Sequence, residues 1–113
     1  MENQIKLNEE RLELLEKLKK ICSKVMNPEW NVQDLAYADG ALSNKVKRLM
    51  GLAIAIRAGC TNCILGQVGH AINAGATKEE FLETIEVGIA MSGTTAVAES
   101  LRVVKLLTEH SIL

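Results

Sequence analysis

Aromatic side chains are scarce in this sequence. One tryptophan, one tyrosine and one phenylalanine make up 3% of its 113 residues. A base-stacking platform for single-stranded nucleic acid needs more of them. An excess of one charge sign is missing too: 13 Lys and Arg stand against 14 Asp and Glu, for a net charge of −1. That balance argues against an electrostatic nucleic-acid binder. Long hydrophobic runs are also absent. The longest nearly uncharged stretches, 49–56 and 87–98, fall short of the roughly 20 residues that a membrane helix needs. The amino terminus, "MENQIKLNEERLELLEKLKK", is charged and has no apolar signal core. The expectation is a cytoplasmic protein with no nucleic-acid and no membrane partner. With one proline, no low-complexity linker and no repeat of 20–50 residues, a single domain over 1–113 is expected. Three cysteines in a reducing cytosol do not read as a structural disulfide framework.

What the sequence does contain is helical periodicity from end to end. Asn8, followed by Glu9 and Glu10, reads as a cap with acids in the first turn. Leu12, Leu15, Leu18, Ile21, Cys22 and Val25 then recur at helical spacing. Asn27-Pro28 is expected to stop this helix, which makes 1–27 an amphipathic N-terminal docking helix. A short helix is expected from Val32 to Ala38. Ser43 caps the next helix, which continues to Ala58 and ends at Gly59. A helix opening at the Cys pair runs to about Ala74, with Gly75 as its stop. Thr77 and Glu80 have capping-box spacing and start a helix to about Ser92. Gly93 breaks the chain, and Thr94 or Thr95 is expected to cap a last helix to about Glu109. No strand alternation survives, so the fold class is all-α.

Two of these helices are apolar nearly all round. "LMGLAIAIRAG" carries no charge between Arg48 and Arg57, and "VGIAMSGTTAVA" carries none at all. A helix without a polar face is buried on all sides, yet a domain this small has little interior. Part of this surface is therefore expected to lie between subunits of a homo-oligomer.

Cys60 and Cys63 sit at positions i and i+3, on one face of a helix start. Unpaired N–H groups and the positive end of the dipole favour thiolate there, taking a thiol from about 8.5 toward 7 or below. A thiolate attacks peroxides or disulfides, and a neighbour one turn away can close a protective disulfide. Two other readings stay open. The pair is half of a metal site if Cys22, His70 or His110 completes the set, since structural zinc wants four ligands. Alternatively the two cysteines are simply small buried residues, as Cys22 is expected to be on its apolar stripe. A thioredoxin fold is not available without a βαβ context.

The segment "LSNKVKRLMGLAIAIRAGCTNCILGQVGHAINAGATKEEF" resembles the carboxymuconolactone decarboxylase family, in its alkylhydroperoxidase-D-like branch. The shared features are a capped helix after "LS", an apolar run to "GC", the CxxC, and "A…AGAT" before an acidic helix start. "GIAMSGTTAVAES" resembles that family's next helix pair, so the likeness covers about 30–107. The resemblance implies an all-α subunit assembled as a trimer or hexamer, with no metal and no organic cofactor. It also implies a CxxC pair that reduces a small peroxide or disulfide and is re-reduced by a partner thiol protein. On the family's pattern, Cys63 attacks and Cys60 resolves, whereas proximity to the helix end favours Cys60 as the attacker; the order stays open here.

The sequence departs from that branch where the branch moves protons. The histidine expected four residues after the second cysteine is Gln67, and the glutamate expected twelve residues before the first is Arg48. The histidine that some members carry between the cysteines is Asn62. Gln67 hydrogen-bonds but does not shuttle a proton at neutral pH. Two residues are candidates to compensate. His70 lies two turns beyond Cys63 on the same face, against the alternative of a helix-surface histidine. Arg48 favours thiolate if it reaches the pair, against the alternative of a solvated arginine beside Lys45 and Lys47. Trp30 and Tyr37 are expected either to line a pocket or to pack. The sequence thus points to a thiol-dependent peroxidase or disulfide reductase. A lactone-acting decarboxylase like the family's namesake and a non-enzymatic, redox-sensing oligomeric scaffold are the alternatives.

Overall fold

The computed structural model describes residues 1–113. It contains six helices, α1 (Gln4–Ile21), α2 (Ser23–Tyr37), α3 (Asn44–Ala58), α4 (Thr61–Asn73), α5 (Lys78–Ser92) and α6 (Thr94–Glu109), and no strand. The all-α class is as expected, and no helix is long and apolar enough to cross a membrane.

Local chemistry sets most helix ends from α3 onward. Ser43 Oγ accepts from Val46 N–H at 3.2 Å and starts α3. Gly59 ends it at φ +66, a left-handed conformation that a residue with a Cβ avoids. Thr77 and Glu80 form a full capping box, each side chain accepting from the other's backbone N–H. Lys45 meets Glu80 at 2.9 Å and fastens α3 to the start of α5. At Gly93, φ is +61 and ψ is −139. Gly93, and not Thr94 or Thr95, is the N-cap of α6, with no side-chain cap. Its backbone turns the chain so sharply that α5 and α6 abut without a linker.

The core lies among α3, α4, α5 and α6. Leu52, Ala55 and Ile56 of α3 meet Ile64, Leu65, Val68 and Ala71 of α4. Phe81 and Ile85 of α5 and Ala96, Val103, Leu106 and Leu107 of α6 close it. The apolar helices are therefore buried on one side only. Ile54 is 67% exposed and Met91 82% exposed, and Met50, Val87 and Val97 are exposed with them.

The first two helices differ from expectation. α1 starts at Asn3, whose side chain accepts from Lys6 N–H, and not at Asn8. Its first amides, Gln4 N and Ile5 N, both donate to Glu109 Oε1, at 2.7 and 3.1 Å. A carboxylate from α6 thus satisfies donors that a helix start leaves open. The buried Gln4 side chain accepts from Arg102 Nη1 and donates to the Glu2 carbonyl. The chain then breaks at Cys22 and continues through Pro28, which lies inside α2. Proline removes one helical donor and crowds the carbonyl four residues back, here Lys24. α2 buries no residue, so water can serve that carbonyl and the helix survives. The helix expected over Val32–Ala38 is the second half of α2. Cys22 is exposed at the α1–α2 joint and does not pack in the core. Its stripe is exposed as well, at Leu12, Leu18, Ile21 and Val25.

Candidate active site

The turn from α3 to α4 builds the cysteine site. Gly59 reverses the chain, and Cys60 N–H donates back to the Ala55 carbonyl at 3.2 Å. Cys60 is then the N-cap of α4 in extended conformation. Its Sγ accepts from Cys63 N–H at 3.2 Å, as a capping oxygen would. Cys63 is the third residue of the helix. The two are joined as a disulfide, with Cα atoms 5.2 Å apart. Both sulfurs thus sit where helix amides and dipole favour a thiolate once the bond is reduced.

Beyond the sulfurs lies an open cleft of about 490 Å³. Cys63 lines it and Cys60 does not. The next residues on that face of α4, Gly66, Gln67 and His70, continue the wall. From α3 come Arg48, Gly51, Ile54, Ala55 and Ala58; from α2 come Trp30, Gln33, Asp34 and Tyr37; from α1 come Arg11 and Leu15. Cys63, Gln67, His70 and Arg48 are therefore brought to one place. Trp30 and Tyr37 line the same place.

Gln67 Nε2 donates to the Tyr37 hydroxyl at 3.0 Å, while Gln67 Oε1 is buried without a partner. Gly51 makes that contact possible. A Cβ there would fall 2.8 Å from Tyr37 Oη and 2.9 Å from Gln67 Cδ. Arg48 stacks on the Tyr37 ring, its guanidinium carbon 3.7 Å from the ring centre. It is not the freely solvated arginine of the alternative reading. Burial lowers its pKa, opposed by Tyr37 and Asp34. It stays charged, since an arginine does not lose its proton in proteins. Burial first, then Arg48 and Arg11, hold the His70 pKa below its ordinary value of 6.5. The shift favours the neutral form of the His70 imidazole.

Arg11 and Asp34 were not singled out by the sequence. Arg11 is one charge among many on an amphipathic helix. The signal that points to it is the pair Gly66 and Gly69, bare backbone on α4 where α1 crosses. Arg11 Nη2 lies 3.4 Å from where a Gly66 Cβ would be, and Asn8 Nδ2 lies 3.9 Å from that of Gly69. No three His, Cys, Asp or Glu side chains gather in a group that could hold a metal ion. Cys22 is at the α1–α2 joint and His110 is the C-cap of α6, so neither joins the pair.

We expect mild oxidation to leave Cys22 a free thiol. Trypsin should release residues 58–78 as one peptide holding both Cys60 and Cys63, lighter by two hydrogens than its reduced form. Peptides linking Cys22 to either residue would contradict this.

Comparison with known proteins agrees with the geometry. An uncharacterized protein of Cupriavidus necator is 36% identical over 62 residues, covering 55% of this chain and 55% of that one. The chain thus matches about half of that relative's length. The uncharacterized protein 4 of the cox locus of Paracoccus denitrificans is 36% identical over 75 residues, covering 66% of this chain and 68% of that one. A carboxymuconolactone decarboxylase family protein from Legionella pneumophila, crystallised in its apo form, superposes with a TM-score of 0.90 at 25% identity. That match covers 98% of this chain and 99% of that one. A Thermotoga maritima crystal structure gives a TM-score of 0.82 at 28% identity, covering 91% and 90%. Residues 30–106 match the carboxymuconolactone decarboxylase family itself. With that match spanning most of the chain and the fold shared end to end, the protein belongs to the carboxymuconolactone decarboxylase family.

Proposed function

We propose that the protein is a thiol-dependent peroxidase of the alkylhydroperoxidase-D-like kind. The observation that carries this reading is the Cys60–Cys63 disulfide at a helix start, with Cys63 alone of the two opening into the cleft. Reduced Cys63 attacks the terminal oxygen of a hydroperoxide. The O–O bond breaks, Cys63 becomes a sulfenic acid, and the leaving oxygen takes a proton to give an alcohol. Cys60 then displaces water from the sulfenic acid and the disulfide closes. Two thiols of a reductant return it to the dithiol and become a disulfide themselves. The net change is hydroperoxide plus two thiols to alcohol, water and a disulfide. Cys63 takes the attacking role because the substrate space is on its side, and Cys60, behind it, resolves. Arg48 and Arg11 supply fixed positive charge that favours the Cys63 thiolate. No cofactor and no metal take part in this scheme.

The test is consumption of an organic hydroperoxide with dithiothreitol as reductant. Reductant-dependent turnover supports the reading. A protein whose disulfide opens and closes without consuming peroxide would instead be a redox-sensing scaffold.

Self-association belongs to the same reading. Only 16 of the 113 residues are buried in the single chain. The helices near 49–58 and 87–98 present Ile54 and Met91 to solvent, and burying such side chains contributes about 1.5–3 kcal/mol each. A trimer or hexamer is expected by light scattering at micromolar concentration. A particle near the 12.3 kDa of one chain would refute it.

A further inference from the structure

The cleft beside Cys63 holds two arginines without an ion-pair partner. Arg11 enters from α1 and Arg48 from α3, and no carboxylate oxygen lies within 4.0 Å of either guanidinium. The charges that face the space are these two cations and one carboxylate, Asp34, which acts on Arg48 from longer range. His70, the remaining titratable group apart from Cys63 and Tyr37, is shifted toward its neutral form by desolvation and by the same two arginines. A partly buried, unpaired cation is costly unless something anionic completes it.

Arg11 is held ready for such a partner. Its Nε donates to Asn8 Oδ1 at 2.8 Å, which fixes the plane of the group. The Nη1 and Nη2 atoms lie over the bare backbone of Gly66, one turn beyond Cys63. That leaves the Nη1–Nη2 edge as a free fork, the geometry that binds a carboxylate with two hydrogen bonds. An apolar groove of about 420 Å³ runs along α1 from the same point. Leu7, Leu14, Leu15 and Leu18 line it, with Glu10 its only carboxylate, and Arg11, Leu15 and Asn62 are shared with the cleft. Positive charge therefore sits where the cysteine cleft and a leucine groove meet.

We propose that the site takes an amphipathic carboxylate, its carboxylate on Arg11 and Arg48 and its aliphatic chain along the leucine groove of α1. This rests on the peroxidase reading only for its consequence, namely that the preferred hydroperoxide carries a carboxylate on an apolar chain.

Binding can be tested without turnover, because in the disulfide form neither Cys60 nor Cys63 has a thiol to attack peroxide. Trp30 lines the cleft and is the chain's one tryptophan, so its emission reports occupancy. The oxidised protein is titrated with sodium octanoate below its micelle concentration, with the neutral isostere octanamide, and with sodium butyrate. Octanoate should give a saturable change, with octanamide at least tenfold weaker, as expected for loss of a charge-assisted bidentate contact. Butyrate should be weaker by about fourfold for each buried methylene it lacks. Arg11→Gln should weaken octanoate at least tenfold and leave octanamide unchanged, with Arg48→Gln as the second variant should the first misfold. Equal binding of octanoate and octanamide, equal loss of both in the variants, or no saturable signal by fluorescence or calorimetry overturns the proposal. The last result would fit a second copy of the chain covering the groove. Octanoate binding by a protein that consumes no hydroperoxide supports the site and removes only the peroxidase reading.

Discussion

Replacing Cys63 by serine is expected to lower thiol-dependent peroxide turnover by on the order of 10³-fold or more, the scale of losing a nucleophile. Serine keeps the size and the hydrogen bonding of the side chain but has no accessible anion near pH 7. The more informative comparison is a single turnover without reductant. Cys60→Ser leaves the attacking sulfur in place, so one equivalent of peroxide should be consumed and a sulfenic acid trapped at Cys63. Cys63→Ser should consume none. The expectation follows from placement: Cys63 lines the cleft, while Cys60 caps the helix behind it. Helix-end position alone favours Cys60, but both sulfurs lie within the first turn, so access to the cleft is the stronger discriminator. A sulfenic acid trapped at Cys60 in Cys63→Ser would reverse the assignment.

The four-helix core was legible because its boundaries are local. Ser43, Gly59, Thr77 and Glu80 each act within about one turn of themselves, and a reader of the sequence sees cause and effect together. The start of α1 is different. Asn3 caps it, but its amides are completed by Glu109, which is 105 positions from Gln4. Nothing near residue 4 announces that carboxylate. Pro28 misleads for a related reason. Its cost depends on whether the orphaned carbonyl reaches water, and that depends on α2 burying nothing. The site divides in the same way. Cys60, Cys63, Gln67 and His70 share one helix face by spacing alone. Arg11, Trp30, Asp34 and Tyr37 join them only because the α1–α2 pair folds across α3 and α4. Two glycines on α4, Gly66 and Gly69, were the local trace of that crossing.

The departures at Gln67 and Arg48 acquire a physical meaning in this setting. Arg48, where the resemblance to the redox branch implies an acid, packs on Tyr37 and lines the same cleft as Cys63. A fixed cation favours a thiolate at all pH values of interest but moves no proton. Arg48→Ala should therefore shift the midpoint of the pH–rate profile upward while leaving the chemistry of the pair intact.

Restoring a proton carrier should have the opposite kind of effect, on rate. No side chain at position 48 or 67 can accept a proton near pH 7, since guanidinium and amide are both unsuited to it. General acid–base help typically contributes about 10²–10⁴-fold, so the wild-type protein is expected to turn over slowly. Gln67 stands one turn from Cys63, at i+4, and its amide already meets the Tyr37 hydroxyl at 3.0 Å. Gln67→His should raise turnover at least tenfold. The gain should hold above about pH 6.5, where imidazole is neutral and accepts a proton, and fade below it as the ring becomes charged. It also needs the space that Gly51 leaves, because a Cβ there would press on both Tyr37 Oη and the side chain at 67. Adding Gly51→Ala to Gln67→His should therefore cancel much of the gain while the helix, which favours alanine over glycine by about 1 kcal/mol, stays intact by circular dichroism. Steady-state rates that Gln67→His leaves unchanged in a folded protein would show that proton transfer at this position does not limit the reaction.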